Sequence, residues 1–250
     1  MSKKFFFENK YILATKTLYN STQAMDLHAH DNAAISYVIQ GRNIETVDAH
    51  QKVIGQNSLI IKPKGILHEN QYFDNCLILC IYIKPDLNLS YEASKTINEW
   101  SSISSFNFLP FLELFQPNHG KGYTKSIIKV LLEKFAEKLE QEKKPPVWLI
   151  EIKNIIESSF QETITTQALA TYSKKHPVYL TRAFKRYFGF GIKEYLNLQR
   201  SNAAFAHMIM DKPTLSQIAY DCGYSDQSHM NRKLKEFSGF TPSQLNKLLD

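Results

Sequence analysis

Within its last hundred residues the chain repeats itself, and few features restrict the choice of fold more. Leu180-Thr-Arg-Ala-Phe-Lys-Arg-Tyr-Phe-Gly-Phe190 lies over Met230-Asn-Arg-Lys-Leu-Lys-Glu-Phe-Ser-Gly-Phe240 at an offset of fifty. Arg182 matches Arg232, Lys185 matches Lys235 and Gly189 matches Gly239; upstream, Leu169 and Ala170 match Ile218 and Ala219 at an offset of forty-nine. Each copy reads as a short helix, a tight turn and a second helix, the helix-turn-helix pattern. Ala170 and Ala219 let the two helices approach, and Gly223 supplies a left-handed turn in the second copy. Thr165 is placed to cap the first helix of copy one, Thr214 and Gln217 have capping-box spacing, and Ser225 is placed to cap the last helix.

The second helix of each copy splits into two faces. Leu180, Ala183, Phe184 and Tyr187, and in copy two Met230, Leu234 and Phe237, form inner stripes. Opposite them lie Val178, Thr181, Arg182 and Lys185, matched by Ser228, Asn231, Arg232 and Lys235, all at helical spacing. Arginine reaches the O6 and N7 of guanine, asparagine pairs with adenine, and lysine suits phosphate. One such face alone would read as a solvated helix surface. Two with the same Arg and Lys positions, each behind a helix-turn signature, point to DNA.

The other half has a different period. Over the first 90 or so residues, apolar positions alternate with period two between turn residues, as in 35–39 before Gly41, 58–61 before Pro63, and 76–83 before Pro85. This predicts an antiparallel sandwich or small barrel. From about Gly122 the pattern turns helical: Ile128, Leu131, Leu132, Phe135 and Leu139 form one stripe. The stripe is assigned to a homodimer contact through a helix over 123–142, the alternative being that it packs on its own barrel. Lys143-Lys144-Pro145-Pro146 then marks a hinge, giving domains over 1–144 (barrel about 5–90, helices about 91–144) and 147–250. The net charge is +6, with an excess of +2 in residues 1–149 and +4 in 150–250. Cys76, Cys80 and Cys222 are too few for a disulfide scaffold and suit a reducing compartment. No apolar run has membrane-spanning length, and the apolar stretch behind Lys3 and Lys4 is too short for a signal peptide, so the chain is expected in the cytoplasm.

From about Trp148 to the end, the sequence resembles the DNA-binding domain of the AraC/XylS family of transcription regulators. The stretch from Gln217 through Cys222-Gly223-Tyr224 to Gly239-Phe240-Thr241-Pro242 carries the likeness most specifically. The resemblance implies a seven-helix domain, with helix-turn-helix units over about 165–188 and 214–238 joined by a long helix over about 192–210. It makes Val178, Thr181 and Arg182 base readers in one unit and Gln227, Ser228, Asn231 and Arg232 their counterparts. Copy one departs from the family pattern: Lys174 replaces a turn glycine, Lys175 a buried aliphatic and His176 a capping serine. The first half is similar to the small cupin barrel that many family members carry, on His28, His30, Gly41, Gly55, Pro63-Lys-Gly65 and His68. In metal-binding cupins such histidines converge with a glutamate, whose position here falls at Ala34.

The fold expected is therefore two-domain, a cupin-like β-barrel with following helices and then an all-α domain. The function expected is a non-enzymatic, DNA-binding transcription regulator controlled by a small molecule held around His28, His30, Tyr37 and His68, with no cofactor. Its partners would be double-stranded operator DNA, the effector, RNA polymerase if it activates, and a second copy of itself, with no membrane. Without the glutamate, and with no acceptor evident to orient the imidazoles, an organic ligand is favoured over a metal. Protonated imidazoles would make that ligand an anion. The rival reading is a cupin-type metal-dependent enzyme or metal sensor using His28, His30 and His68. A further rival is an adaptor whose first turn disables DNA binding. No nucleophile elbow, phosphate-cradling loop or Cys-x-x-Cys pair is present.

Overall fold

The computed structural model describes residues 2–116, 120–141, 144–210 and 214–249. The chain divides into two compact units, residues 1–141 and 142–248. Lys143 of the expected hinge lies outside the described residues. Among those described, no helix is long and apolar enough to cross a membrane.

The first unit is strand-rich. Its strands are β1 (Ser2–Glu8), β2 (Ile12–Tyr19), β3 (Ala24–His28), β4 (Ala33–Val47), β5 (His50–Ile54), β6 (Leu59–Lys62), β7 (His68–Ile83) and β8 (Ser101–Ile103). All pair antiparallel in the order β1-β2-β7-β4-β6-β8, with β3 added to β7 and β5 to β4. The two long strands bend: β4 and β7 slip register between Val38 and Gln40 and again between Gln40 and Arg42. Gly41 permits the bend, because its φ is +76° and an added Cβ would lie 2.7 Å from the Cys76 Cα. The bend rolls the sheet up. His68 and Tyr82, about 45 Å apart along a straight strand, both lie against His30, with ring centres 5.0 and 5.5 Å away.

Rolling gives the sheet an inside and an outside. Ala34, Ser36 and Val38 stand opposite Tyr82, Cys80 and Ile78, and past the bulges Asn43, Glu45 and Val47 stand opposite Tyr72, Asn70 and His68. Val38, Tyr72, Cys76 and Ile78 pack with Ile54 and Ile60 in one interior cluster. The other parity, Ile35, Tyr37, Leu59, Ile61, Leu79 and Ile81, faces outward and is buried beneath the following segments.

Those segments are α1 (Tyr91–Ile97), β8, the 3-10 stretch Leu109–Phe115 and α2 (Lys121–Gln141). The strand β8 falls where the sequence reading placed only helices. Three residues carry no readable period, and it exists because it adds to the edge of β6. The stripe of α2 also differs from expectation. Ile128, Leu131, Leu132 and Phe135 are at most 1% exposed within the single chain, where α2 packs on α1, β8 and Leu109–Phe115. Only Leu139 remains exposed. Four of the five stripe residues therefore belong to their own unit's core, as the alternative reading had it.

Among the described residues the second unit has seven helices: α3 (Val147–Ser158), α4 (Thr166–Ser173), α5 (Pro177–Phe188), α6 (Ile192–Met210), α7 (Leu215–Asp221), α8 (Gln227–Ser238) and α9 (Pro242–Leu249). Thr165 Oγ1 accepts from the Ala168 N–H at 3.1 Å and Thr214 Oγ1 from the Gln217 N–H at 3.2 Å. The Gln217 side chain donates from Nε2 to Asp221, and no bond from the Thr214 N–H to its Oε1 closes the capping box among the described residues. Ser225 is not the cap of α8 either. Asp226 is, its Oδ1 accepting from the His229 N–H at 2.7 Å while the Ser225 hydroxyl donates to its other oxygen. A charged acceptor one residue nearer the helix outcompetes the hydroxyl.

Candidate nucleic-acid interface and interior polar cluster

The repeated faces lie on α5 and α8. Leu180, Ala183, Phe184 and Phe188 on α5 and Met230, Leu234 and Phe237 on α8 are buried. Val178, Thr181, Arg182 and Lys185 are exposed, as are Ser228, Arg232 and Lys235, while Gln227 and Asn231 are half-buried. Neither Arg182, Lys185, Arg232 nor Lys235 is ion-paired with a described residue, whereas neighbouring Lys233 is held by Glu236 at 2.6 Å. Gln227 Oε1 accepts from Ser216 at 3.1 Å, which leaves its amide N–H groups as donors. Asn231 Oδ1 is buried without a partner among the described residues. The two outer faces thus present donors and cations suited to base edges and phosphates.

In the rolled sheet the three histidines meet. Ring centres are 4.2 Å apart for His28 and His68, 5.0 Å for His30 and His68, and 5.2 Å for His28 and His30. One nitrogen of each lies within 4.8 Å of the others. His28 Nδ1 donates to the Asp26 carbonyl at 2.7 Å and His68 Nδ1 to the Ile66 carbonyl at 3.1 Å. A carbonyl only accepts, so both rings carry the proton on Nδ1 and keep a lone pair on Nε2. His68 Nε2 is buried with no partner among the described residues. The orienting acceptors that the sequence did not reveal are therefore backbone carbonyls, and the three nitrogens form a set that could hold a zinc- or iron-sized ion.

Two expectations about this site change. Tyr37 is not part of it: it has outward parity, its hydroxyl donates to Asn57 Oδ1 at 2.9 Å, and its ring stacks on Phe108. Two of the imidazoles, His30 and His68, are also not cationic at neutral pH. Burial first, and then the Lys62 ammonium, push His30 down to about 3 and His68 down to about 4. The missed partners are Glu45 and Lys62, an ion pair at 2.9 Å buried at the inward parity. The Glu45 carboxylate also accepts from Asn70 at 3.2 Å and from the Trp100 indole at 2.8 Å. Burial alone would raise its pKa, but Lys62 and the Trp100 donor hold it below the ordinary range.

A model of the AraC-like ligand-binding domain matches residues 13–138, half of the chain. The chain belongs to the AraC/XylS family. A helix-turn-helix domain model matches residues 169–247 of this AraC-family chain. Over 239 residues it is 20% identical to the Msm operon regulatory protein of Streptococcus mutans, covering 87% of this chain and 84% of that protein. It is 27% identical over 101 residues to the bifunctional transcriptional activator/DNA repair enzyme AdaA of Bacillus subtilis, covering 40% of this chain and 48% of the relative. To the F1 operon positive regulatory protein of Yersinia pestis it is 31% identical over 93 residues, covering 37% and 30%. The match thus spans less than half of either of the last two. Among solved structures, ToxT of Vibrio cholerae aligns over 96% of this chain and 99% of its own, with 11% identity and a TM-score of 0.41. The two family models and the curated relatives do not favour the metal-dependent enzyme reading.

The first turn of this AraC-family chain shows how its departures are absorbed. Lys174 adopts the left-handed conformation at φ +53°, which a lysine holds at some strain. Lys175 stays exposed, its ammonium 5.7 Å from the centre of the Trp148 ring, which in turn stacks on Tyr179. His176 replaces the capping serine in kind, with Nδ1 accepting from the Val178 N–H at 3.3 Å. Copy one therefore keeps its helix-turn-helix geometry with different side chains.

Proposed function

We propose that this protein is a cytoplasmic transcription regulator that reads double-stranded promoter DNA and responds to a small ligand. The observation that carries it is the pair α5 and α8, each capped and seated by a buried stripe, each with an Arg and a Lys at the same two outward positions that no described residue pairs. Val178, Thr181 and Arg182, with Gln227, Ser228, Asn231 and Arg232, read base edges; Lys185 and Lys235 bind phosphate. RNA polymerase is a further partner where the protein activates. The effector sits among His28, His30, His68, Asn70, Glu45 and Lys62. With His30 and His68 neutral and offering lone pairs, and the two charges paired with each other, an organic molecule rich in hydrogen-bond donors fits this interior better than a carboxylate. The test is fluorescence anisotropy of the full chain with duplexes selected from a random library. Affinity should fall at least about tenfold between 50 and 200 mM salt as counterions are released. Binding that is flat over that range would count against the reading.

A further inference from the structure

Between α3 and α4 the chain turns through residues 160–162, and two residues far along the sequence, one through its side chain and one through its backbone, hold that turn. Arg200, midway along α6, donates from Nε to the Phe160 carbonyl at 2.7 Å and from Nη2 to the Glu162 carbonyl at 2.9 Å. It makes no ion pair with a described residue. Gly223, in the turn between α7 and α8, presses on the same segment. Its φ is +75°, and an added Cβ would lie 2.8 Å from the Gln161 Cα and closer still to that residue's carbonyl oxygen. Beside it the Tyr224 hydroxyl and Ser201 Oγ, 3.1 Å apart, tie this turn to the residue after Arg200. Gln161, Arg200, Gly223 and Tyr224 together line an open cleft of about 1200 Å³. The turn that leads into the first helix-turn-helix is thus held at once by the connecting helix and by the turn of the second.

Covalent linkage alone would not fix the angle between the two units, because α5 joins α6 through Gly189-Phe190-Gly191, with two glycines in three residues. We propose that Arg200 and Gly223 form a clamp that sets the separation and angle of α5 and α8, and so the number of base pairs between the two blocks of the operator. This rests on α5 and α8 being the base-reading helices. Arg200 and Gly223 are positioning residues and touch no base. One base pair moves a site by about 3.4 Å and turns it by about 35°, so a clamp that holds the helices to within about an ångström selects one spacer length.

The test is selection of bound duplexes from a random library by the full-length parent, Arg200→Gln, Arg200→Lys and Gly223→Ala, each checked for folding by circular dichroism. The parent should select two blocks at one spacing, and inserting one base pair should weaken binding about tenfold. Arg200→Gln and Gly223→Ala should select the same blocks at several spacings, with an insertion penalty below about threefold. Arg200→Lys, which keeps the charge and one donor, should fall between them, and it carries the test if the other two do not fold. Folded variants that keep one spacing and the parent's penalty, or that lose affinity equally at every spacing, overturn the clamp. A parent that selects a single block overturns the assignment of α5 and α8 themselves, a separate result.

Discussion

Lowering the pH from 7 to 5 in chelator-containing buffer should destabilise the sheet unit through His68. An imidazole in the unfolded chain titrates near 6.5, whereas in the fold burial and Lys62 hold His68 near 4. Between those values the unfolded chain binds a proton that the folded chain refuses. The stability present at neutral pH is therefore lost as the pH falls from about 6.5 to about 4, and it levels off below that. The full shift corresponds to about 2 kcal/mol between pH 7 and 5. His28 and His30 beside it are partly exposed, and the solvent they admit screens the effect to about 1 kcal/mol. Trp100 lies in the sheet unit and Trp148 in the helical one, so Trp148→Phe leaves Trp100 as the reporter of the sheet unit. Guanidinium unfolding followed by Trp100 fluorescence at pH 7, 6 and 5 gives the slope, and the same series on His68→Gln should be flatter by that amount. Identical slopes in parent and variant would show that His68 is not held neutral by the fold.

Three further outcomes follow from the geometry. Arg232→Ala should weaken specific DNA binding by about 1–3 kcal/mol and relax one base position, while Lys235→Ala should weaken all sequences alike, both read by binding selection. Phe135→Glu should unfold the sheet unit rather than yield a soluble monomer, because Phe135 is fully buried in its own unit; sedimentation with circular dichroism distinguishes the two. Lys174→Gly relieves the left-handed strain at φ +53°, so it should raise the stability of the helical unit by up to about 1 kcal/mol in thermal melts.

The helical half was legible because its information is local. The repeat placed α5 and α8 and their outward faces, and the family resemblance placed α6 over the residues it occupies. The caps were readable at Thr165 and Thr214, where only hydroxyls compete, and misread at Ser225, where the carboxylate of Asp226 follows. The sheet half was legible as strands but not as a site, since side-chain direction there depends on counting by twos without interruption. The slips at residues 38–42 break the count: Ser36 and Val38 face inward at even numbers, Glu45 and Val47 at odd ones. An uninterrupted count would put Tyr37 and Glu45 on the same face, whereas the slip leaves Tyr37 outside and brings Glu45 in. The stripe of α2 was correctly apolar, but periodicity says only that a face is covered, not by what.

The same irregularity in β4 gives the interior an unusual sensitivity to the length of the chain. Exchanging one side chain for another changes a single wall position. Removing one residue at the bend would instead turn the distal half of β4 over, sending Asn43, Glu45 and Val47 to the outside and bringing Ile44 and Thr46 in. Lys62 would then lose its counter-charge and Trp100 its acceptor in one step. A related chain one residue shorter between Val38 and Arg42 would face the histidines and Lys62 with Ile44 and Thr46 in place of a carboxylate, and so would be tuned to a different kind of molecule.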